Sequence, residues 1–550
     1  MTRTHPIRTR SPVPSSQPDT LDNQQPNSSQ PADISAASYT NPFLSFLSDN
    51  PTVFHTVSYF SHRLQSHGFT QLSERNLWTS KLQQGGKYYV ERNGSALIAF
   101  AVGSKYESGN GAAIVAAHID ALTARLKPIS KLESKAGFVQ LGVAPYAGAF
   151  NSTWWDRDLG VGGRVLVKDG KTGKIATKLV KLGWPIARIP TLAPHFGAAS
   201  VGPFNRETQM VPVIGLEDAD VSGKETVGWE AGVLGGAGTF TATQPERLVK
   251  AIAGELGIQD CRLRRHPSES PCCAILSGAA DSSIVNWELE LFDTQPAQLG
   301  GLDKEFIFAG RIDDKLCSFS AIEALLASST SHSSFSSSSS SSPSPNHQES
   351  NTPTPDNDSS SIIKLVALFD DEEIGSNLRQ GAHSNFLSSI MARLSEAFAP
   401  HPSHAGANLL SQTYANSFLV SADVTHAVNP NFLGQYLEHH APRLNVGIAV
   451  TADANGHMTT DGVSTALLRR VADKCGAALQ VFQIRNDSRS GGTVGPMLSA
   501  ATGMRAVDAG LPQLSMHSIR ATTGSLDPGL GVRLFKGFLD YFEEVDGEFV

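Results

Sequence analysis

The chain has 550 residues, 40% hydrophobic and 17% charged, with a net charge of -8. That apolar content supports a packed core and excludes a wholly disordered or fibrous chain, although charge is sparser than the roughly 25% usual in soluble domains. The acidic balance and the lack of a broad basic run argue against a nucleic-acid partner, and the absence of an apolar stretch of about 18 residues argues against a membrane span.

Residues 1–40 are rich in Pro, Ser, Gln, Asn and Thr, which predicts a disordered extension, with the fold starting near Pro42. Val53, Val57, Phe60 and Leu64 recur at helical intervals within 52–67. LIAFAVG and GAAIVAAH are short continuous apolar runs of the kind that buried parallel strands show. From 122 to 245 the pattern changes to frequent Gly, β-branched runs and the hairpin-like GRVLVKDGKTGKIATKLV, which predicts a separate β-rich domain. It would be inserted into an α/β domain made of 42–121 and 246–550. Further along, Leu316 to Ala327 reads as a helix, and a Ser-rich stretch at 328–361 reads as a disordered insert. Ile362 to Phe369, Ser417 to Ser421 and Leu479 to Ile484 read as strands, and Val463 to Ala472 as a helix. The succession predicts an α/β layer fold with helices on both faces of a largely parallel sheet. Cys261, Cys272, Cys273, Cys317 and Cys475 are odd in number and form no C-x-x-C, so reduced packing residues are expected rather than disulfides or a thiolate zinc site.

Acids and histidines fall at the ends of these strands, where open α/β sheets form ligand sites. His118 follows IVAA, with Asp120 two residues on; a neutral imidazole ligates metal, and a nearby carboxylate fixes its tautomer. Asp313 and Asp314 follow EFIFAG and, by themselves, are better read as a helix cap than as ligands. Asp370, Asp371, Glu372 and Glu373 follow IKLVALF; four acids against an apolar strand repel one another, and a cation or a solvated turn would relieve them. Asp423 and His426 lie in SFLVSADVTH, and His517 in LPQLSMHSIR. A carboxylate and imidazole set without thiolate suits a pair of ions such as zinc, manganese or cobalt. The GG of SRSGGTVGP lacks the GK[ST] of a phosphate loop and is expected to let backbone approach a substrate cleft.

AHIDALTARLKP, APYAG, WWDRDLGVGGR, ARIPTLAPHFG, FAGRIDD, FDDEEIGS, SADVTHAVNPNF, NGHMTTD, RNDSRSGGTVGP and LPQLSMHSIRATTGS together resemble the aspartyl aminopeptidase family of zinc metallopeptidases, in the family's order from about residue 42 to 545. The resemblance implies a phosphorylase-like α/β catalytic domain with an inserted β-rich dimerisation domain, assembled into a tetrahedral dodecamer. It implies two metal ions per subunit, held by His118, Asp313, Glu373, Asp423 and His517, with Asp313 rather than Asp314 bridging. It makes Asp120 the residue that orients His118, Glu372 the general base, and His195 and His426 substrate contacts, His195 reaching a neighbouring subunit's cleft. The implied reaction is hydrolysis of the N-terminal residue from peptides with a free N-terminus.

Two departures qualify that picture. Acid-selective members have a lysine and a tyrosine where an unbroken alignment puts Thr451 and Met458, so a neutral or apolar first residue such as Leu is expected in place of Asp or Glu. Members delivered to the vacuole carry an amphipathic propeptide, and residues 1–40 lack that period, which leaves a cytoplasmic location as the expectation and vacuolar delivery as the alternative. Competing readings are an aspartyl aminopeptidase with acidic preference, a carboxypeptidase or deacylase on a related fold, and an inactive scaffold or transport cargo. An intact Glu372 beside the ligand positions argues against the last.

Overall fold

The computed structural model describes residues 35–217, 238–258, 283–330, 359–401 and 406–549. Residues 1–34, Cys261, Cys272, Cys273 and 331–358 of the expected Ser-rich insert lie outside these. Cys317 and Cys475 are free thiols.

Structure begins earlier than the expected Pro42. A 3-10 turn over Ala36–Tyr39 leads into α1 (Thr40–Asp49), because Phe43, Phe46 and Leu47 find a buried face. The Thr52 hydroxyl accepts the His55 N–H to cap α2 (Val53–Ser66), whose Val53, Val57, Phe60 and Leu64 are buried. The chain continues through β1 (Thr70–Leu72), β2 (Lys87–Arg92), β3 (Ala96–Val102) and β4 (Ala112–His118).

Next come β5 (Thr123–Lys131), β6 (Phe138–Tyr146), β7 (Leu159–Lys168), β8 (Ile175–Lys181) and β9 (Val213–Leu216), then α3 (Glu246–Glu255) and β10 (Ser283–Asp293). These strands form a six-stranded antiparallel sheet in the order β8-β7-β10-β5-β6-β9. The β-rich part therefore runs past the expected boundary at 245. In β10, Trp287, Leu289 and Leu291 alternate with polar residues and share a core with Leu248, Val249 and Ile252 of α3 and Val161 and Val165 of β7. Both sheets lie within one compact unit, Ser35–Val550.

The remaining elements are β11 (Gln298–Gly300), β12 (Phe306–Ala309), α4 (Ile312–Ser328), β13 (Ile363–Phe369), α5 (Phe386–Ala397), α6 (Ala407–Ala415), β14 (Phe418–Ser421) and β15 (Thr425–His426). After them run β16 (Ala449–Ala452), α7 (Gly462–Cys475), β17 (Gln480–Gln483), α8 (Val494–Thr502), β18 (Arg505–Gly510), β19 (Pro512–Gln513), β20 (Ala521–Gly524) and α9 (Asp527–Asp546). Ser328, expected to open the Ser-rich insert, ends α4, where its hydroxyl donates to Asp540.

The main sheet has nine strands in the order β1-β2-β3-β13-β4-β14-β18-β16-β17. Its centre, β13, β4, β14 and β18, is parallel, while β3 runs antiparallel to both neighbours and β16 antiparallel to β18. Most of its pairings are parallel, as the expected largely parallel sheet requires, with antiparallel pairings only around β3 and between β16 and β18. LIAFAVG is apolar throughout because both faces of β3 are covered, and burial on both faces carries no information about strand direction. Along β4, Ala113, Val115 and Ala117 join one core with α1, α2, α4, α7 and α9, whereas Ala112, Ile114 and Ala116 join another with α5 and α8. Each fully buried Ile or Phe in these cores contributes about 1.5–3 kcal/mol. The result is a rigid parallel edge from which short turns project the chemistry. Among the described residues no helix is long and apolar enough to cross a membrane.

Candidate metal centre and cleft

Five segments converge at the carboxyl edge of the parallel strands. His118 ends β4, and Glu372 and Glu373 sit in a 3-10 turn just past β13. Asp423 lies two residues past β14, Asp313 opens α4, and His517 occupies the turn between β19 and β20. Arg311, Asp371 and His517 hold left-handed backbone at φ 60°, 66° and 61°. Each such residue costs on the order of 1–3 kcal/mol, held in place by the packing around it. Gly510 of β18 serves the same edge, since a Cβ there would collide with the Asp423 carbonyl oxygen.

His118 Nε2 is 3.4 Å from Asp313 Oδ1 and 3.6 Å from Asp423 Oδ1. His517 Nε2 is 3.7 Å from Asp313 Oδ2 and 3.7 Å from Glu373 Oε2. Two donor sets result, His118/Asp313/Asp423 and Asp313/Glu373/His517, each with its ligand atoms within 4.8 Å of one another. Asp313 belongs to both, one oxygen facing each histidine. Asp314 belongs to neither: it is fully buried, and its Oδ2 accepts the His118 backbone N–H at 3.4 Å.

Asp120 lies behind His118, with Oδ1 3.3 Å from Nδ1. Its carboxylate also accepts the backbone N–H groups of Glu372 and Glu373, both at 3.1 Å, and the Tyr146 hydroxyl at 2.7 Å. Burial alone would raise the Asp120 carboxyl, but the imidazole and these donors hold it below the usual range.

The other acids behave oppositely. Burial first, then Asp423, Asp120 and Asp313, pushes Glu372 up to about 8, and burial followed by Asp313 raises Glu373 well above its ordinary value. Asp423 is raised by burial and by the charges of Asp313 and Asp508. Two like charges 4 Å apart repel by about 4 kcal/mol at an effective dielectric of 20, so these carboxylates cannot all ionise without positive charge among them. Burial works against a charged imidazole at His118, yet its bonds to Asp120, Asp313 and Asp423 raise it well above the usual range. The Glu373 Oε1 is buried with no partner. Nitrogen and oxygen donors without sulfur, an orphaned carboxylate oxygen and mutually repelling acids fit divalent ions of the zinc type.

A cleft of about 380 Å³ opens beside both sets. His426, Thr451 and Met458 line it, as do Ser490, Gly491 and Gly492 of the loop expected to approach substrate. Burial against the cleft walls, followed by the charge of His517, lowers the His426 imidazole below its ordinary value, with Asp313 opposing. His195 is not brought into this cleft: it is exposed in the 3-10 segment Pro194–Ser200 between β8 and β9.

The sequence reading missed the apolar wall formed by Phe482, Ile484, Met497 and Met516. Phe482 and Ile484 alternate in an expected strand, so their shared side was legible, whereas what that side faces depends on the sheet order. Asp508, also on the wall, was missed too. It accepts the Thr459 hydroxyl at 2.7 Å and the Thr493 hydroxyl at 2.6 Å.

Imidazole and carboxylate donors gathered at a sheet edge beside an open cleft define a metal-dependent hydrolase. The aminopeptidase I zinc metalloprotease (M18) family model matches residues 46–342 and 347–539, and the chain belongs to that family of metalloaminopeptidases. It is 41% identical to vacuolar aminopeptidase 1 of Saccharomyces cerevisiae, over 92% of this chain and 89% of that one. It is 40% identical to an aspartyl aminopeptidase of Aspergillus oryzae, over 91% and 95%. Among solved structures, mApe1 of Chaetomium thermophilum superposes with a TM-score of 0.78 at 52% identity, covering 94% of this chain and all of that one. The mApe1 dodecamer of S. cerevisiae gives 0.73 at 35%, covering 93% and 99%.

Proposed function

We propose that this chain is a two-metal aminopeptidase that removes a neutral or apolar residue, such as Leu, from the N-terminus of peptides. The observation carrying the preference is the cleft wall. Among its described lining residues there is no Lys or Arg, Thr451 and Met458 stand on it, and Phe482, Ile484, Met497 and Met516 make it apolar. A substrate carboxylate would be buried there without a cation, which is costly.

In this reading His118, Asp313 and Asp423 hold one ion, and Asp313, Glu373 and His517 the other. When bound, such ions polarise a scissile carbonyl and acidify water at neutral pH. Glu372, at the cleft beside both sets, takes the proton from the attacking water and passes it to the leaving amine. Asp120 orients His118, and His426 contacts the substrate. The free α-amine of a substrate would be received among the acids at this end of the cleft, so a chain terminus fits.

The six-stranded sheet is the dimerisation layer of a phosphorylase-like catalytic fold, and the chain assembles as a tetrahedral dodecamer, a reading supported by the S. cerevisiae mApe1 dodecamer. His195 then serves a neighbour's cleft. Likeness to a vacuolar aminopeptidase supports delivery from the cytoplasm to the vacuole. Mixing inactive His195→Ala with inactive Glu372→Gln subunits under conditions of exchange is expected to restore part of the activity. Confirmed exchange with no recovery returns His195 to an ordinary exposed loop residue.

The test of the function itself compares leucyl, aspartyl and N-acetylated leucyl peptides with and without a chelator. Leucyl substrate should lead aspartyl in kcat/KM, the acetylated peptide should resist cleavage, and Thr451→Lys should move the balance toward aspartyl. Best cleavage of aspartyl peptides by the wild type would favour the acidic preference carried in the name of the A. oryzae relative. Absence of metal-dependent cleavage would favour scaffold or cargo.

A further inference from the structure

The second sheet meets the metal centre at Tyr146, the last residue of β6. This phenol is buried, and its hydroxyl donates to Asp120 Oδ2 at 2.7 Å, with Asp371 Oδ1 at 3.5 Å. Asp120 spends the rest of its carboxylate on the backbone N–H groups of Glu372 and Glu373 and on the His118 imidazole. It therefore caps the 3-10 turn that carries both glutamates, from a neighbouring strand end rather than from its own chain segment. The turn's own backbone bonds run from Ile374 N–H to the Asp371 carbonyl at 3.2 Å and from Gly375 N–H to the Glu372 carbonyl at 2.9 Å, so the N–H groups of Glu372 and Glu373 are the ones that rely on Asp120.

The Tyr146 ring is itself held. The Arg125 guanidinium lies 3.8 Å from the ring centroid and its Nε 3.9 Å from Glu290 Oε2. Tyr146 pairs with Thr123 across β5/β6, and Glu290 with Arg125 across β10/β5. The phenol hydroxyl is thus fixed by three strands of the sheet that contributes none of the donor residues. Burial and the adjacent Asp120 charge keep it protonated, and hence a donor.

We propose that Tyr146 is a positioning residue for hydrolysis: its hydroxyl fixes the Asp120 carboxylate, which fixes the turn that aims Glu372 at the cleft. The inference rests on the reading of Glu372 as the base. A base displaced by a fraction of an ångström loses rate without losing substrate affinity.

Tyr146→Phe removes one oxygen and keeps the ring. With saturating zinc and leucyl peptide, kcat is expected to fall roughly 10- to 100-fold, with KM, zinc content and thermal midpoint near wild type. In an Asp120→Asn background the same change should add no further loss, because the phenol acts through that carboxylate. A ring that only packs would leave kcat intact. Unchanged kcat, a loss that tracks zinc or thermal midpoint, or full additivity with Asp120→Asn overturns the proposal. Glu372→Gln assayed in parallel separates the two readings: if it stays active, the base assignment and this inference fall together. If it is inactive while Tyr146→Phe is normal, this inference alone falls.

Discussion

Glu372→Gln is expected to keep bound zinc and the native assembly while kcat on a leucyl peptide drops roughly 10²-fold or more. The substitution keeps size and the backbone bond to Asp120, because that bond uses the Glu372 N–H. Glu372 belongs to neither donor set, so its loss should not release metal. What disappears is the group able to accept and return a proton beside the cleft. Metal analysis alongside steady-state kinetics checks this, and near-wild-type turnover would remove Glu372 from the mechanism.

Asp313→Ala should have the largest effect on metal. It is the one residue shared by both donor sets, so its removal is expected to abolish tight binding of zinc and with it all measurable activity. His118→Ala and Glu373→Ala each dismantle one set only, and each should lose metal to a smaller extent. Elemental analysis after desalting orders the three. Asp313→Ala retaining as much zinc as His118→Ala would show that the two sets do not depend on a common carboxylate.

The chemistry was legible in the sequence to the extent that it sat at strand ends. His118, Asp423 and the 370–373 acids each follow an apolar run that folds as a central strand, and strand ends are where such sheets place ligands. Asp313 was separable from Asp314 only through resemblance, because both fit a helix start and their different orientations arise from backbone that is non-helical inside the first turn of α4. Strand direction was not legible: the continuous burial that marks β3 is the same for parallel and antiparallel neighbours. β10 fell outside the expected β-rich stretch because its partners, β5 and β7, come far earlier in the chain, and pairing across such a separation leaves no local pattern. Tyr146 escaped notice for the same reason. Its partner Asp120 lies on a different layer, and nothing in APYAG signals a hydrogen bond to it. Thr451 and Met458 were chosen through the family alignment, and both line the cleft.

The central claim is two metal ions acting with one base on a free N-terminus. It is tested most directly by stripping the protein with a chelator and returning zinc stepwise, while bound metal per chain and cleavage of a leucyl peptide are followed together. The proposed site predicts that activity is absent without metal, rises as zinc binds and reaches its plateau at two ions per chain, with N-acetylated peptide inert throughout. Full activity at one ion per chain, or cleavage persisting in the stripped protein, would contradict it.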